Sequence, residues 1–197
     1  MKKSILTFFS LAFAASTLFA GNPPAEKTYQ VNSEKSKVQW FAEKVTGTHN
    51  GTVTVSEGSF TLADGKLVGG EIVVDMNTIT VLDLQGEWKG KLENHLKSDD
   101  FFSVEKFETA TITITDVKTT GEGTYKVGAN LTIKGNTNRV EFDAIVKTSG
   151  KEAIASAELV IDRSKYDVRY GSGSFFDDLG DKTIYDDFKL KVELVAQ

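Results

Sequence analysis

The chain has few side chains of the kinds that do acid–base or metal chemistry. Its only histidines are His49 and His95, and it contains no cysteine. Neither histidine has a second one two or four residues away, which is the spacing typical of helix- and strand-borne metal sites. Without cysteine there is no disulfide, thiolate nucleophile or thiolate metal site. We interpret each histidine as a surface or packing residue, because a lone histidine rarely does chemistry.

Other polar motifs give weak signals for catalysis or metal binding. Residues 171–174 are Gly-Ser-Gly-Ser, but no base lies nearby in sequence, so we interpret them as a flexible loop. Neighbouring acids lack the spacing of a calcium loop, and we expect them to be solvated. These neighbours are Asp99 with Asp100, Asp177 with Asp178, and Asp186 with Asp187. A cation stays open as an alternative for Asp177, Asp178 and Asp181.

Asp162 and Arg163 are a stronger candidate for a functional pair. They end an apolar segment, where an Asp–Arg pair can be half-buried and joined by two parallel hydrogen bonds. One interpretation is contact with the head group of a ligand. The other, which we favour, is an ion pair that fastens the last long loop.

Aromatic residues gather outside the strand-like segments. This group comprises Trp88, Phe101, Phe102, Phe107, Tyr166, Tyr170, Phe175 and Phe176. Loops normally carry polar residues, so we expect these rings to bury against something. They either cap the ends of a barrel or line a mouth through which an apolar molecule enters.

The elements that position these groups are strands. Between Thr124 and Val195 apolar and polar residues alternate with a period of two, which predicts strands with one dry and one wet face. The apolar series are Tyr125, Val127, Ala129, Leu131, Ile133; Val140, Phe142, Ala144, Val146; Ala153, Ala155, Ala157, Leu159, Ile161; and Phe188, Leu190, Val192, Leu194. Short connections between them predict an antiparallel meander.

The first half of the chain adds further strands and one helix. We expect a turn at residues 47–51 and a tight hairpin at Asp64 and Gly65, which tolerate positive φ. An apolar residue recurs every four positions in the series Leu84, Trp88, Leu92 and Leu96. That period predicts a short amphipathic helix. The fold class is therefore all-β: one antiparallel barrel of roughly eight strands, a size that encloses one small ligand.

The pattern leaves open whether the barrel is hollow. Small inward residues leave room for a ligand, but packed interiors tolerate few voids, so a filled interior is an equal alternative. The small residues are Ala129, Ala153, Ala155 and Ala157.

The N-terminal residues have the layout of a secretory signal peptide. Lys2 and Lys3 precede an uncharged apolar stretch, residues 4–20, which is too short for the roughly 20 apolar residues of a spanning helix. We predict cleavage after Ala20 and a periplasmic protein, with an uncleaved anchor as the alternative. The expected layout is a signal peptide at 1–20, a flexible segment at 21–28 and one barrel domain at 29–197.

The charge balance argues against nucleic-acid partners. The formal net charge is −5, and loss of Lys2 and Lys3 would make it two units more negative. An acidic chain without a cluster of basic residues repels phosphate backbones.

Three sequence blocks resemble the YceI-like family of secreted lipid- or polyisoprenoid-binding proteins. They are Asn-His-Leu-Lys-Ser-Asp-Asp-Phe-Phe at 94–102 with Val-Glu-Lys-Phe at 104–107, Leu-Thr-Ile-Lys-Gly-Asn-Thr at 131–137, and the closing segments 161–163, 170–177 and 184–188. The likeness covers residues 29–196. Glu108 stands where the family usually has proline, and Asp167 where glycine is usual. Asp tolerates left-handed backbone, so we expect that turn to persist.

The resemblance implies a lipocalin-like barrel that holds an isoprenoid tail, such as that of a quinone, with no cofactor and no catalysis. We predict ligand contacts at Trp88, Leu92, Phe101, Phe102, Leu131, Phe142, Ala155, Asp162, Arg163, Phe175 and Phe176. One alternative is a solid-core module that docks a protein partner. Another is an enzyme acting on a lipid through His95 or through Asp162 and Arg163. Association of two barrels as a homodimer stays open.

Overall fold

The computed structural model describes residues 25–197. The strands are β1 (Glu26–Gln30), β2 (Lys37–Lys44), β3 (Gly47–Ala63), β4 (Lys66–Val81), β5 (Thr109–Gly121), β6 (Thr124–Ile133), β7 (Asn136–Ser149), β8 (Glu152–Asp162) and β9 (Ile184–Ala196). The helices are α1 (Gly86–Lys97) and two short 3₁₀ helices, Arg163–Tyr166 and Gly180–Lys182. The predicted signal peptide lies outside the described residues. No helix within 25–197 is both long and apolar enough to cross a membrane.

Eight of the strands close into an antiparallel barrel. The order is β3-β2-β9-β8-β7-β6-β5-β4, and β4 pairs back to β3. The ninth strand, β1, pairs with the far end of β3, where Glu26 lies opposite Ala63. The prediction of a single antiparallel barrel of roughly eight strands with one helical insertion is confirmed.

The alternation of apolar and polar residues that predicted the strands corresponds to side chains inside and outside the barrel. On β6, Tyr125, Val127 and Leu131 are buried, whereas Lys126 and Asn130 between them are exposed. Because side chains point to opposite faces in turn, each strand supplies one wall of the interior with every second residue.

The turn at Asp64 and Gly65 is confirmed, but the one at residues 47–51 is wrong. Asp64 and Gly65 have φ of 48° and 77°, as a tight hairpin requires. Residues 47–51 instead belong to β3 and pair with β2, with His49 opposite Ala42.

Glycine at position 51 is explained by close packing rather than by a turn. A Cβ at this position would lie 1.8 Å from the Thr80 carbonyl oxygen and 2.5 Å from the Trp40 ring, far inside van der Waals contact. Glycine therefore lets the Thr80 backbone and the Trp40 indole, which forms part of the interior wall, approach β3 closely.

The helix α1 lies at the end of the barrel where β3 begins. Its Leu96 is buried, and Glu93 Oε1 accepts a hydrogen bond of 2.9 Å from the Val81 amide at the end of β4. Trp88, which the four-residue period placed in the same apolar stripe, is 70% exposed. Leu84, Leu92 and Leu96 therefore pack at this end of the barrel, whereas Trp88 faces away from it.

Side chains pack closely at both ends of the barrel. At the α1 end the packed residues include Met76, Leu96 and Phe101. At the opposite end they include Tyr29, Phe60 and Tyr125. The space between these two clusters is the candidate functional site.

Candidate functional site

An apolar cavity of about 410 Å³ runs through the middle of the barrel. Every barrel strand contributes inward-facing residues to its wall, and α1 contributes Leu92, His95 and Leu96. Wall residues include Val38, Trp40, Val53, Ile72, Val74, Ile112, Leu131, Phe142, Ala155, Ala157, Phe188, Leu190 and Val192. The alternative of a filled interior is therefore wrong.

The cavity explains why many inward-facing residues are not fully buried. Phe142, Phe188, Leu190 and Val192 sit at inward positions yet keep part of their surface accessible. A packed core leaves almost no such surface. Their exposed apolar area faces the hollow, and a ligand in the cavity would bury it.

The cavity is long as well as apolar. On β9 its wall extends from Ile184 to Leu194. At about 3.3 Å per residue this is roughly 33 Å along the strand, or roughly 25 Å along the barrel for a strand tilt near 40°.

The predicted contact residues fall into three groups. Those on the cavity wall are Leu92, Phe101, Phe102, Leu131, Phe142, Ala155 and Arg163. Trp88 lines a shallow depression just outside the cavity. Asp162, Phe175 and Phe176 lie away from the wall.

The small inward residues differ in what they contribute. Ala155 and Ala157 line the cavity. Ala129 and Ala153 are completely buried and lie in packed regions, so they leave no room for a ligand. Two of the four alanines expected to leave room for a ligand therefore line the cavity.

Exposed lining residues identify where the cavity opens. Glu43, Tyr170 and Tyr185 line it and are exposed, and they lie at the end covered by α1. We call this opening the mouth. Val45 in the β2–β3 turn donates a backbone hydrogen bond of 3.0 Å to Thr183, which ties that turn to the segment before β9.

Arg163 builds one side of the mouth. Its side chain is 3% exposed and donates to four carbonyl oxygens, those of Val168 (2.8 Å), Tyr170 (3.0 Å), Ile184 (2.9 Å) and Tyr185 (3.2 Å). The Phe101 ring lies 5.4 Å from the guanidinium carbon. These contacts fasten both ends of the segment between the first 3₁₀ helix, Arg163–Tyr166, and β9.

The ion-pair partner of Arg163 is Asp186 rather than Asp162. The Arg163 Nη2 atom lies 3.3 Å from Asp186 Oδ1, without hydrogen-bond geometry. Asp162 instead accepts hydrogen bonds from the amide and hydroxyl of Ser164 and so caps the 3₁₀ helix. The interpretation of a fastened loop is correct, and the predicted Asp162–Arg163 pairing is wrong.

Burial shifts the pKa of two groups in this region. It lowers the pKa of Arg163, an effect that Asp186 and Asp162 oppose. It also raises the pKa of Tyr166 to about 12. Asp167, which follows Tyr166, has φ of 60°, so the expected left-handed turn is present with Asp in place of glycine.

His49 forms a pair with an acid beside the mouth. Its Nδ1 atom lies 2.7 Å from Asp83 Oδ2, and the Asn50 amide donates to Asp83 Oδ1 at 2.9 Å. Burial alone would raise the pKa of Asp83, but these hydrogen bonds outweigh it and lower that pKa. The pair joins the start of β3 to the segment before α1.

The loop aromatics do not all bury, contrary to expectation. Phe101 and Tyr166 are buried, but Tyr170, Phe175 and Phe176 are exposed on the segment before β9. The Arg169 guanidinium covers one face of the Phe175 ring at 5.0 Å.

Sequence reasoning did not single out Trp40 and Lys44 as wall residues. Both continue the inward series of β2 that begins at Val38, and Lys44 brings a charge to the mouth. The signal was present in the sequence, because Val38, Trp40, Ala42 and Lys44 occupy every second position.

The wall offers little for chemistry beyond apolar contact. Among residues 25–197 no cluster of three or more His, Asp or Glu could hold a metal ion. The charged groups and histidines that line the cavity lie at the mouth, and the rest of the wall is mostly apolar. Such an arrangement suits a long apolar molecule with one polar end.

A closed eight-stranded antiparallel barrel with a hollow apolar interior is the lipocalin-like class of architecture. The YceI-like domain model matches residues 29–196. The chain therefore belongs to the YceI-like family.

Relatives and solved structures agree with this assignment. A UPF0312 protein of Pseudomonas putida (strain W619) is 32% identical over 149 residues, covering 74% of this chain and 75% of the relative. The protein YceI of Escherichia coli is 30% identical over 146 residues, 73% and 72% of the two chains.

Two solved structures share the fold at lower identity. BcnA of Burkholderia cenocepacia superposes with a TM-score of 0.71 at 22% identity, covering 85% of this chain and 99% of BcnA. A polyisoprenoid-binding domain from Saccharophagus degradans has a TM-score of 0.65 at 14% identity, with coverage of 86% and 97%.

Proposed function

We propose that this protein binds one long apolar molecule in its barrel and carries or sequesters it without changing it chemically. The observation that carries the proposal is the apolar cavity of about 410 Å³ with a single polar end. The ligand we expect is a polyisoprenoid, an isoprenoid quinone or another long-chain lipid. The domain from Saccharophagus degradans, which shares the fold, is described as polyisoprenoid-binding.

The length of the cavity wall, roughly 25 Å along the barrel, suits one long hydrocarbon chain.

Burial of the chain supplies enough free energy for firm binding. Each buried methylene contributes about 0.8 kcal/mol, so an isoprene unit contributes roughly 3 kcal/mol before entropy costs. A few units therefore suffice without a specific polar contact. Selectivity would then come from the length and width of the cavity and from the polar groups at the mouth.

The engagement of Arg163 argues against one route to catalysis. Its donors are occupied by four carbonyls and Asp186, so they are not free to act on a substrate, as a catalytic group must be. The hollow interior also disfavours the solid-core docking module.

The N-terminal sequence supports a periplasmic location. Removal of residues 1–20 would leave β1 starting near the new N-terminus, at Glu26. Glu26 pairs with Ala63 at the end of β3, far from the mouth.

The test is extraction of the natively produced protein. Organic extracts of protein purified without detergent should contain one long-chain lipid species at close to one molecule per barrel, detected by mass spectrometry. Extracts of an unrelated periplasmic protein prepared in parallel are the control. Repeated preparations that are lipid-free, stable and unable to take up added isoprenoid would end the proposal.

A further inference from the structure

A shallow vestibule lies outside the mouth and shares part of its wall with the cavity. It is lined by Lys44, His49, Leu84, Trp88, Lys91, Leu92 and His95. Lys44, His49, Leu92 and His95 also line the cavity itself. A ligand whose chain lies in the barrel would therefore place its polar end among these side chains.

The polar lining of the vestibule consists of nitrogen groups. Lys91 lies 2.7 Å from Glu87 and 4.8 Å from the centre of the Trp88 ring. His49 is held by Asp83. Each of these two nitrogens is therefore already matched by an acid.

Lys44 differs from these groups because its charge is unmatched. Within the described part of the chain the Lys44 ammonium forms no ion pair. It stands at the last inward position of β2 and is half-buried. An ammonium group without a partner is available to pair with an anion that arrives at the same place.

His95 adds a second unmet group. Its Nε2 atom is buried and has no hydrogen-bond partner among residues 25–197. The ring packs edge-on against Tyr170, with centroids 4.4 Å apart, at the edge of the mouth. In the tautomer with a proton on Nε2, this group can donate to an oxygen atom.

We propose that the vestibule binds an oxyanion, phosphate or carboxylate, at the polar end of the ligand, with Lys44 as its charge partner. This inference rests on the proposed function, because it concerns the head group of the molecule whose chain fills the cavity. Arg163 does not take this role, since its donors already point to four backbone carbonyls. Lys44 is thus the residue that sets specificity for the head group.

The experiment compares three ligands with the same twenty-carbon isoprenoid chain: geranylgeraniol, geranylgeranyl phosphate and geranylgeranoic acid. Affinities are measured by displacement of a fluorescent apolar probe from lipid-stripped full-length mature protein. At least one of the two anions should bind several-fold more tightly than the alcohol, and the tighter one identifies the source of the oxyanion. Lys44→Gln should weaken binding of that anion about fivefold and leave the alcohol unchanged.

Lys37→Gln is the matched control. Lys37 lies on the same strand, is exposed, and forms no ion pair within residues 25–197, so the net charge changes equally at a place far from the vestibule. Equal affinities for all three ligands, or an equal effect of the two substitutions, would overturn the head-group inference while the carrier function stands. Failure of all three ligands to displace the probe from the unmodified protein would overturn both.

Discussion

Replacing Ala155 with tryptophan should weaken binding of a long isoprenoid ligand by at least about a hundredfold. Ala155 lies on β8 and faces the cavity, so the new indole would occupy space that the chain needs. Loss of one buried isoprene unit costs roughly 3 kcal/mol, and about 1.4 kcal/mol corresponds to a factor of ten in affinity. The measurement is the dissociation constant from probe displacement.

The stability of Ala155→Trp separates a hollow barrel from a solid one. A large side chain forced into a packed core costs about 1 to 3 kcal/mol. In a hollow barrel the same side chain fills a void, so the free energy of unfolding should stay the same or rise. Ile154→Trp is the control, because Ile154 is the outward neighbour of Ala155 and 39% exposed. Normal binding by Ala155→Trp, or strong destabilisation of it, would contradict the cavity.

Arg163→Met should lower the free energy of unfolding by about 3 to 5 kcal/mol, which is the usual cost of removing one partner of a buried charge network. The change leaves the carbonyls of residues 168, 170, 184 and 185 without their donor and Asp186 without its ion-pair partner. At about 2 to 4 °C per kcal/mol for a domain of this size, the melting temperature should fall by roughly 10 °C. Thermal and denaturant unfolding followed by circular dichroism would measure it.

Arg139→Met is the control for removal of an arginine charge. Arg139 pairs with Asp116 at 2.8 Å, but its side chain is 50% exposed, and solvent screens such surface pairs, so the free energy of unfolding should change little. Equal effects of the two substitutions would show that Arg163 does not fasten the segment beside the mouth.

The strands could be predicted from sequence because their signal is local. Alternation on β6, from Tyr125 to Ile133, depends only on which face of the sheet is dry, and the whole series is buried as expected. The hairpin at Asp64 and Gly65 was likewise predictable, because positive φ is a property of the residues in the turn themselves.

Features that depend on distant residues could not be predicted in the same way. Gly51 looks like a turn residue in sequence, but its small size serves the Trp40 ring on the neighbouring strand. Arg163 stands next to Asp162, yet its acid partner is Asp186, which the return of β9 brings beside it. The contacts of a residue therefore could not be predicted from its sequence neighbours where the fold brings a distant residue beside it.

The candidate site likewise has features that could be predicted from the sequence and features that could not. The inward direction of Leu131, Phe142 and Ala155 followed from alternation. Whether they line a hollow depends on how the eight barrel strands curve around it. Ala129 and Ala155 are both small and inward, but only Ala155 borders the cavity. The exposed position of Phe175 and Phe176 depends on the path of the segment before β9, which no short-range pattern determines.

The most direct test of a ligand-filled barrel is a crystal structure of the protein purified natively, without detergent or added lipid. The account predicts continuous tubular density that starts beside Lys44 and Tyr170, passes Phe142 and Leu190, and ends near Phe60. Side chains closing together to fill that space, or a cavity holding only scattered water, would contradict it.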